Sequence, residues 1–312
     1  MISSYLFGPV PSRRLGASLG VDLIPYKTCS YDCVYCECGP TTNHTCRRME
    51  YVPTGEVIAA LDTCLSASPA LDYITFAGSG EPTLHSRIGE IIAFVKERYP
   101  EYRIAVLTNG SLLSDRRVRD AVLSSDLILP SMDAASEEIF RQINRPCAEL
   151  TCAAVLSGLR ALAEEYSGEI LLEIFIVPGL NDSPEELALL REAVDSIEPV
   201  RVQINTLDRP GVEAWVRPAS PASLEGIAAL FGAPDGAEVI VPAAARESTA
   251  GFRQDIPATI LATLARRPCT ADDLSQIAGV HRNEISKYLL VLQEEGRIEA
   301  VREKRGIFFR LT

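Results

Sequence analysis

Cys29-Ser30-Tyr31-Asp32-Cys33-Val34-Tyr35-Cys36 is the stretch on which the reading of this chain turns. Three thiols at C-x3-C-x2-C spacing lie in a loop that follows residues 18–24, an alternating, strand-like run. Three thiolates this close in sequence can wrap one iron–sulfur cube, each holding one iron. The fourth iron is then left open to a substrate or cofactor. Tetrahedral zinc takes four ligands, commonly from paired C-x2-C knuckles, and the second knuckle is absent here. A zinc loop completed by Cys38, Cys46 or His44 is the competing arrangement.

Working outward from that loop, helical and strand-like runs alternate. Residues 55–66, 88–98, 115–124, 136–143 and 150–166 have helical periodicity, and residues 73–77, 103–107, 127–130, 170–177 and 200–205 are short apolar or β-branched runs. Ser183, with Glu186 three residues on, is the pattern of a capping box opening a helix that runs to about residue 197. A βα unit repeated about six times demands parallel strands with helices packed outside, because parallel neighbours need crossover connections. The strands are nearly continuously apolar, as strands buried on both faces are. The predicted fold is therefore α/β with a parallel sheet; a curved or barrel-like form fits better than a flat one, a choice that periodicity alone does not make. The polar segments after the strands fall on its carboxyl edge, where such folds place their sites. They are Gly78-Ser79-Gly80-Glu81-Pro82, Thr108-Asn109-Gly110 and Ser131-Met132-Asp133.

With Tyr35 directly before the last cysteine, the C-x3-C-x2-C motif resembles the signature of the radical S-adenosylmethionine superfamily. The likeness spans roughly residues 15–207, and it implies a partial (β/α)6 TIM-like barrel with the cluster loop after the first strand. The strings Phe7-Gly8-Pro9-Val10-Pro11-Ser12-Arg13-Arg14 and Thr41-Thr42-Asn43 resemble a branch related to the wyosine-synthase-like proteins that act on tRNA. The resemblance implies a [4Fe–4S] cluster on Cys29, Cys33 and Cys36, and S-adenosylmethionine as cofactor, cleaved reductively to a 5′-deoxyadenosyl radical that acts on a substrate. It likens Gly78–Pro82 to the "GGE" motif that holds the methionine amino group, with Ser79 in place of the first Gly. It places Thr108, Asn109, Ser131 and Asp133 near the methionine carboxylate and the ribose hydroxyls. An external flavodoxin- or ferredoxin-type electron donor is also implied. Turn chemistry is the plainer account of each of these polar residues taken singly.

Other residues stay open between two readings. Glu173 and Asn205 lie within later strands, as site residues or as partners in a buried pairing. Arg13, Arg14, Arg47 and Arg48 flank the cluster loop and could hold a phosphate or carboxylate, or be solvated. Cys38, Cys46, Cys147 and Cys152 could form a second cluster or act as small buried hydrophobes.

The chain divides into a core at 1–207, an irregular Pro- and Ala-rich extension at 208–255 with a short strand at 239–241, and a C-terminal module at 256–312. The module follows helix, helix–turn–helix and hairpin, the layout of a winged helix. It carries nine Lys or Arg against seven Asp or Glu, whereas the whole chain has a net charge of −12. A uniformly acidic surface repels phosphate backbones, so a general nucleic-acid coat is not expected, while a local basic patch is allowed, as in the module through Arg282, Lys287, Lys304 and Arg305. A protein partner or substrate is the equal alternative there. No run of apolar residues is long enough to cross a bilayer, and the N-terminus lacks the order of a signal peptide, so a cytoplasmic enzyme is expected. Two rival functions are a tRNA-modifying enzyme of the wyosine type and an iron–sulfur sensor coupled to a DNA-binding winged helix.

Overall fold

In a computed structural model, residues 5–12, 14–208, 211–231, 236–240, 256–280, 282–303 and 306–312 are described. Strand β1 (Leu6–Ser12) turns back onto β2 (Gly16–Val21) as an antiparallel pair. The sequence reading had no strand at β1, because Pro9 and Pro11 interrupt its pattern; at the sheet edge a proline costs no ladder hydrogen bond. The chain then makes a two-residue ladder of β3 (Thr28–Cys29) with β4 (Asn43–His44), which closes the base of the cysteine loop.

The βα repeat follows as α1 (Thr54–Leu65), β5 (Tyr73–Phe76), α2 (Ile88–Arg98), β6 (Arg103–Thr108), α3 (Arg116–Val122), β7 (Leu127–Pro130), α4 (Glu137–Ile143), α5 (Cys152–Glu165), β8 (Glu169–Ile176), α6 (Pro184–Ile197) and β9 (Arg201–Thr206). The sheet order is β1-β2-β5-β6-β7-β8-β9, with β10 (Ala237–Val239) added beyond β9. Every neighbour pair after β1·β2 is parallel. The stretch taken from sequence as an irregular extension thus supplies α7 (Pro221–Ala228) and β10, and Leu224, Ile227 and Phe231 join the main core.

The helices lie where their apolar stripes dictate. In α2, Ile88, Ile91, Ile92 and Val95 are all fully buried, which is the i, i+3, i+4, i+7 spacing of one helix face. Helix α6 starts at Ser183, whose hydroxyl accepts from the Glu186 amide at 3.2 Å. The expected capping box is only half made. The Glu186 carboxylate instead accepts from the amides of Ala135 and Ser136 at 2.6 and 3.0 Å, tying α6 to the start of α4.

The C-terminal residues form α8 (Ile256–Leu264), β11 (Cys269–Thr270), α9 (Ala271–Ala278), α10 (Arg282–Glu294), β12 (Ile298–Glu303) and β13 (Gly306–Leu311). Three helices pack on a three-stranded sheet of order β11-β13-β12 with a core of their own around Ile260, Leu274, Ile285 and Leu289. Here the capping box is complete, between Thr270 and Asp273. Lys304 and Arg305 lie outside the described residues.

Ile104 at the middle of the sheet is fully buried. Ile104→Ala should cost about 2–5 kcal/mol in denaturant unfolding, since a central position cannot collapse around the lost volume.

Candidate active site

Strands β2 and β5 end level at Val21 and Phe76, and β6 and β7 end level at Thr108 and Pro130, two residues further on, so the loops that follow all four leave the same edge of the sheet. The cysteine loop lies across that edge. Its backbone is fixed from both sides: Glu81 N donates to Thr28 O at 3.2 Å, and Asp32 N and Val34 N donate to Asn144 O and Ile143 O at 3.0 and 2.9 Å.

Each of the three cysteines of the motif has its own nitrogen donor. Lys27 Nζ lies 3.0 Å from Cys36 Sγ, Asn109 Nδ2 3.5 Å from Cys29 Sγ, and Asn144 Nδ2 3.5 Å from Cys33 Sγ. Burial pushes the Cys29 thiol up to about 12 and the Cys33 thiol well above its ordinary value. Cys36 moves the other way: the Cys38 thiol bonded to it and the Lys27 ammonium lower it against the effect of burial. Burial alone would lower Lys27, but the Cys36 sulfur beside it more than reverses this and keeps the ammonium charged. Lys27 adopts a left-handed backbone (φ 54°), a conformation that costs a non-glycine residue about 1 kcal/mol or more.

These features fit an iron–sulfur cube better than a single ion held by all three sulfurs. Buried thiols that resist ionisation become thiolates when a metal takes the proton's place. A tetrahedral ion would bring its sulfur ligands to about 3.8 Å of one another. Among the described residues only Cys46, Cys147 and Glu149 form a group of three donors within 4.8 Å, so at least two of the sulfurs of Cys29, Cys33 and Cys36 stand further apart than that. A cube, with one iron per thiolate, needs that wider spacing.

The Gly78–Pro82 turn runs directly beneath the cysteine loop. A Cβ on Gly80 would overlap the Thr28 carbonyl oxygen, and one on Gly78 would overlap the Asp22 carboxylate. Asp22 Oδ2 accepts from the Ser79 amide and hydroxyl at 3.3 and 3.2 Å. Glu81 is buried and its carboxylate takes four internal hydrogen bonds, from Thr83 N and Oγ1, Thr108 Oγ1 and Asn109 N, at 2.6–3.0 Å. Pro82 opens a 3-10 turn, Pro82–Leu84.

Thr108 and Asn109 are therefore bound to Glu81, and Asn109 reaches on to Ser30 Oγ at 2.9 Å. Asp133 is likewise enclosed. It accepts from Tyr35 Oη at 2.5 Å, Asn144 Nδ2 at 2.7 Å and Phe175 N at 3.0 Å. Tyr35 stacks on Phe175 with ring centroids 3.8 Å apart. The side chains of Thr108 and Asp133 thus both make hydrogen bonds inside the protein. Ser131 is half-buried, and its hydroxyl makes no hydrogen bond among the described residues.

Of the other candidates, Arg14 forms an ion pair with Glu173, which also accepts from Asn205 Nδ2 at 3.4 Å, so all three satisfy one another. Arg48 donates to Thr83 O at 2.9 Å. Arg13 lies outside the described residues. The four cysteines considered for a second cluster do not converge: Cys38 bonds to Cys36, Cys152 is buried with its thiol 3.6 Å from Ala134 O, and only Cys46 and Cys147 are neighbours.

Comparison with known proteins places these features in a class. Residues 23–190 match the model of the radical SAM superfamily. The chain belongs to that superfamily, whose members are enzymes that use a [4Fe–4S] cluster and S-adenosylmethionine. It is 35% identical over 227 residues to a UPF0026 protein of Methanocaldococcus jannaschii, covering 72% of this chain and 70% of that one. It is 32% identical over 274 residues to a UPF0026 protein of Helicobacter pylori J99, covering 86% of each. A protein of Brachyspira hyodysenteriae named GTPase Obg is 34% identical over 293 residues; this chain is covered to 94% but spans only 43% of that relative. No Gly-Lys pair occurs in the present sequence, so it has no phosphate-binding P-loop of its own. Among solved structures, a radical SAM methyltransferase from Sphaerobacter thermophilus shares the fold, with a TM-score of 0.55 at 18% identity over 71% of this chain and 65% of that one.

Three residues of the site carried no signal in the sequence. Lys27, Asn144 and Asp22 sit in loops of ordinary polar composition, and only the crossing of those loops gives them their partners. Lys27→Met should leave iron content intact but make the cluster harder to reduce, because an added electron loses its positive neighbour. Each ~1.4 kcal/mol of lost charge stabilisation corresponds to about 59 mV in a one-electron couple, readable by a redox titration followed by EPR. Gly80→Ala should do the opposite: the loop is displaced from Thr28, and cluster incorporation falls on anaerobic reconstitution.

Proposed function

We propose that this chain is a radical S-adenosylmethionine enzyme in which Cys29, Cys33 and Cys36 hold the [4Fe–4S] cluster. The observation that carries the reading is the set of three half-buried thiols, each paired with a nitrogen donor, beside a glycine turn packed against their loop. When bound, the cluster and S-adenosylmethionine supply one-electron reductive cleavage to methionine and a 5′-deoxyadenosyl radical, which takes a hydrogen atom from the substrate. The chain's own residues bind, orient and exclude water. The electron comes from an external flavodoxin- or ferredoxin-type donor.

In this reading the Gly78–Pro82 backbone receives the methionine part of the cofactor, since the absence of side chains at Gly78 and Gly80 permits close approach. Among the described residues Glu81 Oε2 accepts one hydrogen bond, from Asn109 N, which leaves an acceptor position for the cofactor's ammonium. Ser131 is the strand-end hydroxyl free to meet the ribose. Thr108, Asn109 and Asp133 act one step back, holding Glu81, Cys29 and Tyr35 in place.

The C-terminal module is proposed to be winged-helix-like and to present a substrate or partner to this edge. Its Arg266 guanidinium lies 4.5 Å over the Phe7 ring and 3.9 Å from Asp22, the residue that holds Ser79. Its named basic residues support nucleic acid weakly, because Arg282 is paired with Asp272 at 3.0 Å.

Anaerobic reconstitution should give about four irons per chain, and Cys29→Ala, Cys33→Ala or Cys36→Ala should abolish the cluster. Reduced protein should release 5′-deoxyadenosine from S-adenosylmethionine; bound zinc with no visible charge-transfer absorption would sink the reading. Arg266→Ala should weaken S-adenosylmethionine binding severalfold at unchanged iron content, through the freed Asp22 and Ser79. Unchanged affinity in a titration would show that the module acts independently of the cofactor turn.

A further inference from the structure

Beside the cysteine loop, Cys46, Cys147 and Glu149 bring two thiols and a carboxylate within 4.8 Å of one another. The mechanism uses none of them. They are about a hundred residues apart in sequence, so no spacing motif announces them. Two backbone bonds create the meeting: Thr45 N donates to Cys29 O and Cys147 N to Ser30 O, each at 3.0 Å. The segment after β4 and the loop between α4 and α5 are thus both hung on the cluster loop.

We propose that these three residues form a second metal site, which holds one zinc-class divalent cation with water in the fourth position. Two thiolates and a carboxylate suit a borderline-soft ion. Tetrahedral zinc sets its sulfur ligands about 3.8 Å apart, within reach of the present spread after small side-chain rotations. Burial grades across the site, from buried Cys147 through half-buried Cys46 to exposed Glu149, so an ion has an entry path and a water-facing position. Binding releases the protons of both thiols to solvent and involves no change of oxidation state. Its effect is to clamp the two loops behind Cys29 and Ser30.

The test is metal analysis of the full-length, cluster-loaded protein prepared without oxygen and supplied with zinc chloride. One zinc per chain should remain after gel filtration, in addition to the cluster iron. Cys46→Ser and Cys147→Ser should each lose it, and Glu149→Gln, a change at an exposed position that leaves the fold intact, should weaken zinc retention by about tenfold or more in a chelator competition. Zinc should also persist in the chain with Cys29, Cys33 and Cys36 all replaced by Ser. That variant, given cobalt chloride, should show thiolate-to-cobalt charge transfer. Absence of retained zinc, equal retention in Cys46→Ser, or recovery of Cys46 and Cys147 as a disulfide overturns the proposal. Because the triple variant has no cluster, the outcome is independent of the radical chemistry.

Discussion

A sulfur that carries negative charge inside a protein has to be compensated, and the site is arranged around that requirement. Cys29 and Cys33 lie where burial opposes ionisation. A bound metal would supply compensation, and the protein adds one nitrogen donor to each sulfur. The donors come from three separate places: Lys27 just before the loop, Asn109 after β6 and Asn144 after α4. No single segment could provide them, because one segment cannot approach three well-separated sulfurs. The sheet, by bringing its strand ends level, makes the arrangement feasible.

A second layer holds the donors. Glu81 fixes Thr108 and Asn109, and Asp133 fixes Asn144 and Tyr35. Both carboxylates are buried, and burial raises both above the ordinary carboxyl range. Their hydrogen bonds offset part of that cost. Removing one partner would leave a buried carboxylate short of a donor, which costs more than the bond itself contributes. These acidic residues therefore stiffen the edge.

The C-terminal module has its own core, yet it is coupled to this edge through Arg266. The chain from Arg266 to Asp22 to the Ser79 amide and hydroxyl joins the module to the turn proposed for the cofactor. Asp22 is raised by burial, and Arg266 opposes that shift, so the pairing favours the charged form that holds Ser79. A substrate or partner seated on the module thus has a physical route by which to influence the turn.

The sequence by itself determined the class of fold and singled out the three cysteines proposed as cluster ligands, since both are written in local patterns. The βα periodicity fixes a parallel sheet within a residue or two at most strands, and the cysteine spacing lies within one loop. It also placed the polar strand ends together, because parallel strands deliver their loops to one edge. Only the tertiary structure decided which polar atoms remain available there. Thr108 and Asp133 looked as exposed to a ligand as Ser131 does, but their partners come from other strands and loops. The same holds for β1 and α7, hidden by prolines that an edge strand and a first helical turn tolerate. Lys27, Asn144, and the meeting of Cys46 with Cys147 and Glu149, had no local signature, because each is defined by a contact between segments distant in sequence.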